Sequence, residues 1–389
     1  MHTDTCDVAV LGLGGVGASA FCSLAAKGTS VIGIDRFESI HEMGSSHGQS
    51  RVFRVAYFEH PDYVPLAQFS REQWVELDAR ATNRIFVPAG GAWIGPESGP
   101  HVSESRLAAE QHDLEFEMLS ADEAMSRWPA LRIPHEQVCF HEPAAGLICP
   151  EHAIEAFLRE GTMHGGRVMR GRTVESIEQN DDGVLVRMKD GVVKAGRIVM
   201  ALGPWMPAFT TDLKIRLEPQ RQLLGWTRPA DPELVREGRL PVWLFADNDE
   251  SIQYGFPICS DLPGPGGFKL ARHCDGDSCD PDLIRRDTNE SDANLVLQRL
   301  DERIPAGFGP LTTMKTCIYT MSDDGHFIID KHPENDRIIL ACGLSGHGFK
   351  FCPALGQALS DLALEAGTDI PIGFLGLGRF KNQDNAEKR

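Results

Sequence analysis

Apolar and polar positions fall into short ordered blocks along this chain, and the first block is the clearest. Residues Cys6–Leu11 form an apolar run carrying Val8, Val10 and Leu11, the pattern of a strand buried on both faces. The turn Gly12-Leu13-Gly14-Gly15-Val16-Gly17 follows. A helical period then places Val16, Ala20, Leu24 and Ala25 on one face, and Gly28 closes it as a C-cap. A second strand, Ser30–Asp35, ends on an acidic residue. Downstream the pattern predicts a helix over 64–77, strands within 85–93, and an amphipathic helix followed by a strand over 106–119. A short strand and helix follow over 147–165. Alternating strands are expected at 167–171, 173–179 and 184–189, the last two joined by the turn Asp181-Asp182-Gly183. Short apolar strands at 197–201 and 337–341 each lead into a glycine-containing loop, and a helix is predicted from 353 to 366. A parallel sheet assembled from segments so far apart requires the intervening stretches to form a second layer or domain. The polar tail after Phe380 is expected to fray.

Strand, G-x-G-x-x-G turn, helix, second strand and terminal acid occur in the order of a dinucleotide-binding β-α-β unit. Gly12 permits the tight turn, Gly14 lets the backbone approach a pyrophosphate, and Gly17 allows close helix packing. The helix N-terminus offers unpaired N–H groups and the positive end of its dipole to phosphate. Asp35 stands where a carboxylate accepts hydrogen bonds from ribose hydroxyls. This unit alone does not distinguish NAD from FAD.

Composition narrows the classes further. The 389 residues include 38 Lys and Arg against 56 Asp and Glu, a net charge of -18, which argues against nucleic acid or an anionic membrane as partner. Against that background a cluster of cations stands out as an anion site. No apolar run approaches the roughly 20 residues of a membrane span, and Met1–Asp7 lacks a basic signal-like region, so a cytoplasmic protein is expected. The ten cysteines show no C-x-x-C pair, which fits free thiols in a reducing compartment. His273, Cys274 and Cys279 match no zinc spacing, and no metal is expected.

Seven segments then carry a family likeness: Gly12–Gly17, GSSHGQSRVFRVAY at 44–57, YVPL at 63–66, ALGPW at 201–205, YGFP at 254–257, CIYTMSDDGHFIID at 317–330 and GLSGHGFKF at 343–351. In this order they resemble the monomeric sarcosine oxidases, a group that includes N-methyltryptophan oxidase. The resemblance runs over nearly the whole chain. It implies an α/β fold, with a Rossmann-like FAD-binding domain of the glutathione-reductase type interleaved with a substrate domain on a mostly antiparallel sheet. The corresponding division is 1–87, 147–218 and 324–389 for FAD, and 88–146 and 219–323 for substrate. It further implies a monomer that oxidises the secondary amine of an N-methyl amino acid to an imine. Water hydrolyses the imine, and oxygen is reduced to hydrogen peroxide.

Residue by residue, the likeness makes Cys317 the covalent attachment point of FAD, with thiolate formation favoured by nearby positive charge. Arg54 and Lys350 match the pair that holds the substrate carboxylate, Arg as a bidentate fork and Lys as a mobile point charge. Lys269 matches the lysine that promotes reaction with oxygen by stabilising the developing superoxide anion. Arg51 is a second cation expected near the flavin, with His47 and Ser50 in the same loop. His273 and Tyr254 match polar residues lining the substrate cavity, and Tyr319 an additional wall. Val174, Gly203, Gly343, Gly346, His347, Gly348 and Lys350 are expected along the cofactor, with N–H groups of the glycine loop facing negative charge on the reduced flavin.

The chain departs from the group at Ser46, where the family loop commonly has a second histidine, at Ser251-Ile252-Gln253, and in the loop Cys259–Gly267. The last two border the substrate cavity in the family. The preferred amine therefore stays open between sarcosine and a bulkier N-methyltryptophan or pipecolate. Two other classes are a flavin dehydrogenase using a non-oxygen acceptor and a non-catalytic flavoprotein. Lys269 argues against the first, and the carboxylate-binding pair against the second.

Overall fold

The computed structural model describes residues 2–180, 182–246, 251–273, 276–365 and 367–382. Two eight-stranded sheets and a small three-stranded one organise them. In the first sheet His2–Leu11 lies between Val31–Ile34 and Gly191–Met200, parallel to both. Arg167–Met169 extends it on one side, parallel to Val31–Ile34. The long strand Gly191–Met200 has two partners on its other side. Its first half pairs antiparallel with Gly183–Met188, and its last residues pair in parallel with Asn335–Cys342. Ile328–His332 and Val174–Asn180 complete the sheet.

Three helices meet beside this sheet because small residues let them approach. Gly15–Ala26 packs on both Cys352–Leu364 and Pro150–Met163. A Cβ at Gly356 would lie 2.2 Å from the Ser19 hydroxyl, which shows how near the first two backbones come. Phe21, Leu24, Leu355 and Leu359 are fully buried in the same core.

The second sheet runs Leu311–Ser322, Leu217–Thr227, Phe268–His273, Ile252–Gly255, Val242–Ala246, Gly91–Gly95, Val138–Glu142 and Glu117–Ser120. Every neighbouring pair is antiparallel except Val242–Ala246 with Gly91–Gly95. Its strands come from 91–142 and 217–322, inserted between segments of the first sheet, as the dispersed parallel strands require. Arg51–Phe53, Gly146–Ile148 and Phe86–Val87 make the small third sheet.

The elements differ from the periodic pattern in a few places. The helix expected from 106 begins at Pro100, where proline's missing N–H has no intrahelical partner to lose. The strand expected at 197–201 is the end of a ten-residue strand whose first half alternates with solvent. A helix at Ala121–Arg127, opened by a Ser120/Glu123 capping box, was not legible as a separate element. Cys274, Asp181 and most of the tail after Phe380 lie outside the described residues. No helix among those described is long and apolar enough to cross a membrane.

Candidate active site

The glycine turn opens onto a cavity of about 380 Å³. Gly17 faces away from it and holds the turn closed, since a Cβ there would lie 1.8 Å from the Gly12 carbonyl oxygen. The helix begins at Gly15 with neither a capping side chain nor an acidic residue in its first turn, so nothing of the protein's own negative charge competes for its N-terminus. The Ser46 hydroxyl accepts the Gly15 N–H at 3.3 Å. Asp35 accepts the backbone N–H groups of Leu13 at 2.8 Å and Phe37 at 2.9 Å, one on each carboxylate oxygen. Each oxygen keeps a lone pair for a ribose hydroxyl.

The cavity walls include Gly12, Gly14, Asp35, Arg51, Val174, Gly203, Gly343, Gly346 and Gly348 from the sequence reading. They also include Phe37, Trp205 and Thr320, which it did not single out. Near Asp35 the Arg36 guanidinium carbon sits 4.9 Å from the Trp205 ring, a flat platform at one end of the space. The Thr320 hydroxyl is buried with no partner among the described residues, a polar atom left for a ligand. A cavity at a helix N-terminus free of acidic residues in its first turn, with an acid just past the end of the second strand and the unpartnered Thr320 hydroxyl, fits a dinucleotide.

A second, smaller cavity of about 80 Å³ adjoins the first. Arg51, Tyr319, Gly346 and Phe349 line both. Arg54, Glu59, Tyr254, His273, His347 and Lys350 line only the smaller one, so His347 and Lys350 stand on the small-cavity side of the loop rather than along the larger cavity. Gly346 is where that loop crosses Tyr319: a Cβ there would lie 2.5 Å from the ring.

Two buried cations converge on the small cavity. Arg54 is stacked between Tyr57 and Phe58, its guanidinium carbon 3.9 and 4.0 Å from their ring centres, and it donates to Glu59 at 2.5 Å. Burial pushes the Glu59 carboxyl up, but Arg54, His347 and Lys350 outweigh it and hold the group at about 2. Lys350 donates to the His347 carbonyl at 2.9 Å and to the Tyr57 hydroxyl at 3.3 Å. Burial, reinforced by Arg54, brings its ammonium down to about 7 against the pull of Glu59 and Glu142. Burial also lowers His347 to about 3 and His273 to about 4, so both imidazoles are neutral at pH 7. His347 Nε2 faces the Gly325 carbonyl at 3.0 Å and must carry the hydrogen, which leaves Nδ1 to accept from the Tyr57 hydroxyl at 2.6 Å. Tyr319 bridges His273, at 3.2 Å, and Tyr254.

Because Lys350 loses its proton near neutrality, a pH dependence follows. A carboxylate inhibitor with no ionisable amine is expected to bind with constant affinity below pH 7. Above pH 7 it weakens by up to about tenfold per pH unit. Inhibitor titrations from pH 6 to 9 test this, and Lys350→Met should flatten the slope.

At the junction of the cavities the Cys317 sulfur lies 3.6 Å from the Arg51 guanidinium and 3.6 Å from the Ser45 carbonyl oxygen. It is not itself in the wall of either cavity, although its neighbours Ile318 and Tyr319 are. Burial pushes the thiols of Cys6, Cys22, Cys139, Cys149, Cys259 and Cys342 up to about 12, which makes them poor nucleophiles. Lys269 is buried and donates to the Ser50 carbonyl at 2.7 Å and hydroxyl at 3.0 Å. His47 is fully buried, and neither ring nitrogen has a hydrogen-bond partner among the described residues. His47, Ser50, Lys269 and Cys317 thus stand behind the cavity walls, around Arg51. Of the two departing segments, Ile252 lines the small cavity. The loop Cys259–Gly267 does not, and its Gly264 packs on Gln49 instead. Glu59, Glu142 and Glu151 were also missed by sequence reading, and only their acidic type in a turn or strand end could have drawn attention to them.

The model of the FAD dependent oxidoreductase family (DAO) matches residues 7–362. The chain belongs to this family. It is 36% identical over 375 residues to a monomeric sarcosine oxidase of Streptomyces avermitilis, covering 95% of this chain and 96% of the other. It is 30% identical over 377 residues to an N-methyl-L-tryptophan oxidase of Yersinia pestis, covering 96% and 99%. Among solved structures NikD, described as an unusual amino acid oxidase essential for nikkomycin biosynthesis, superposes with a TM-score of 0.83. That match is at 23% identity over 96% of this chain and 97% of that one, a likeness of fold. The family makes this chain an FAD-dependent oxidoreductase of the amine oxidase type, with FAD as the dinucleotide that the larger cavity fits.

Proposed function

We propose that the protein oxidises a compact N-methyl amino acid, sarcosine or a close relative, with oxygen as acceptor. The observation that carries this reading is the adjoining pair of cavities. One fits a dinucleotide, the other is small and holds two convergent cations, and Arg51 and Tyr319 are common to both. Relatives named as monomeric sarcosine oxidases support the substrate class.

Bound FAD supplies the two-electron acceptor for the amine and returns those electrons to oxygen. The protein's own groups do the rest. Arg54 and Lys350 hold the substrate carboxylate. Tyr254, Tyr319 and neutral His273 face the amine side, where a neutral imidazole accepts an N–H hydrogen bond without placing a charge against the amine. That environment favours the unprotonated amine, whose lone pair oxidation requires. Phe58, Leu244 and Ile252 exclude water and limit the side chain. Lys269 and Arg51 supply fixed positive charge where oxygen is reduced. The same reading divides the chain into the FAD-binding and substrate parts set out above, and makes the protein a monomer of the reducing cytoplasm. The described cysteines, all free, are in keeping with that compartment.

Anaerobic mixing with sarcosine, N-methyltryptophan, pipecolate and proline tests the substrate class. Sarcosine is expected to bleach the flavin fastest, and bleaching by none of the four would defeat the reading. Peroxide formed in stoichiometric amount separates an oxidase from a dehydrogenase. Cys317 is proposed as the covalent tether, because its sulfur stands beside the Arg51 guanidinium, whose residue lines both cavities. Denatured protein is expected to keep a mass increment of one FAD that Cys317→Ala abolishes. A bare polypeptide mass from yellow, active enzyme would refute the tether.

A further inference from the structure

The loop that carries Ser50 holds an unusual turn. Gly48 and its neighbour Gln49 both have positive φ, 90° and 74°. Gln49 is not a glycine, so this backbone is strained and persists only if its surroundings enforce it. Two successive N–H groups in such a turn converge into a concave donor pair suited to an anion. Here the anion belongs to the protein. Glu151, in the first turn of the helix Pro150–Met163, accepts Gly48 N–H at 2.6 Å and Gln49 N–H at 3.1 Å on the same carboxylate oxygen. The Gln49 side chain is fixed as well, accepting the buried Trp226 indole N–H at 2.7 Å. Trp226 is the cross-strand partner of Lys269.

The far side of the turn presents acceptors. The Ser50 carbonyl and hydroxyl both receive the Lys269 ammonium, and the same carbonyl receives Arg51. The turn is thus held from two sides, its Gly48 and Gln49 N–H groups by Glu151 and its Ser50 oxygens by Lys269. Lys269 has no carboxylate among its hydrogen-bond partners. The charged and titratable groups acting on it are Arg51, Glu151, Cys317, Cys149 and His47. Of these, Glu151 is the carboxylate.

We propose that Glu151 is a positioning residue for the oxygen half-reaction, locking the Gly48–Ser50 turn so that the Ser50 carbonyl and hydroxyl hold the Lys269 ammonium in place. The proposal rests on Lys269 acting on oxygen. Burial, together with Arg51, drives the Lys269 ammonium down, and Glu151 opposes them. Removing that charge leaves a lysine that sheds its proton at lower pH.

The test uses flavin-loaded wild type, Glu151→Gln, Glu151→Asp and Lys269→Met. Stopped flow follows flavin reduction by substrate and reoxidation by oxygen separately from pH 6 to 10. A lysine 13C-labelled at Cε, assigned by its loss in Lys269→Met, reports the protonation of Lys269 independently of turnover. Glu151→Gln is expected to slow reoxidation by about ten- to a hundredfold, to leave reduction within about twofold, and to move both the reoxidation limb and the Lys269 titration to lower pH. Glu151→Asp keeps the charge but falls a methylene short, and is expected to lie between. Should the Gln variant fail to take up flavin, the Asp variant decides by the same readouts.

Slow reoxidation in Lys269→Met with normal reoxidation and an unshifted titration in the Glu151 variants overturns the proposal and leaves the oxygen site standing. Normal reoxidation in Lys269→Met removes that site and the proposal with it. Equal loss of both half-reactions without a titration shift makes Glu151 a general structural residue and also overturns it.

Discussion

Lys269→Met is expected to slow the oxygen half-reaction by about a hundred- to a thousandfold while the amine half-reaction keeps its rate. The size follows from what one prepositioned charge is worth in a dry site: deleting a single donor aimed at a developing anion typically costs on the order of 10²–10³ in rate. Lys269 is 3% exposed, so water does not reach its ammonium to substitute for it. Negative charge forming beside its ammonium is attracted more strongly than neutral oxygen, so the interaction is stronger in the transition state than in the ground state, the condition for raising a rate. Met keeps the length of the side chain and removes the ammonium that stands near the Phe256 and Trp226 rings. Stopped-flow reoxidation of substrate-reduced enzyme measures the effect, and unchanged reoxidation would exclude Lys269 from the oxygen chemistry.

Arg54→Ala is expected to weaken binding of a carboxylate inhibitor by about thirty- to several-thousandfold, and to raise KM for substrate with it. Truncating one partner of a buried, hydrogen-bonded charge pair costs about 2–5 kcal/mol, much of it from the charge left behind. That charge is Glu59, which Arg54 neutralises and which would then face an incoming carboxylate. Arg54→Lys should not rescue fully, because an ammonium cannot make the planar contact between Tyr57 and Phe58 or a two-point hydrogen bond. Spectral titration of the bound flavin gives Kd directly. Affinities unaltered in both Arg54→Ala and Lys350→Ala would dissolve the carboxylate site.

Local chemistry was legible in the residues themselves. The change from strand to helical period around Gly12–Gly17, and the acid at Asp35, state a β-α-β unit because each feature is required within a few residues of its neighbour. Lys269, Tyr254 and His273 carry no such local signature. They lie on neighbouring antiparallel strands and became candidates through family resemblance. The acidic partners were beyond both approaches. Glu142 accepts the N–H groups of Val55 and Ala56 across 87 and 86 positions, and Glu151 reaches Gly48 across 103. Nothing periodic encodes such a pairing, since it depends on how the small third sheet joins Arg51–Phe53 to Gly146–Ile148. Trp205 and Thr320 escaped for the same reason: each becomes a cavity wall only when distant strands are brought side by side.

The common wall of Arg51, Tyr319, Gly346 and Phe349 has a consequence for how such a chain can diverge. Changes at those four positions alter two ligands at once and face two filters. Leu244 and Ile252 border only the smaller space, whereas Phe58 there also stacks on Arg54. A descendant can exchange Leu244 and Ile252 to admit a different side chain while the dinucleotide wall and the covalent candidate Cys317 stay as they are. Selection for a new amine thus has two such dials, set apart from the wall that every version of the enzyme must keep.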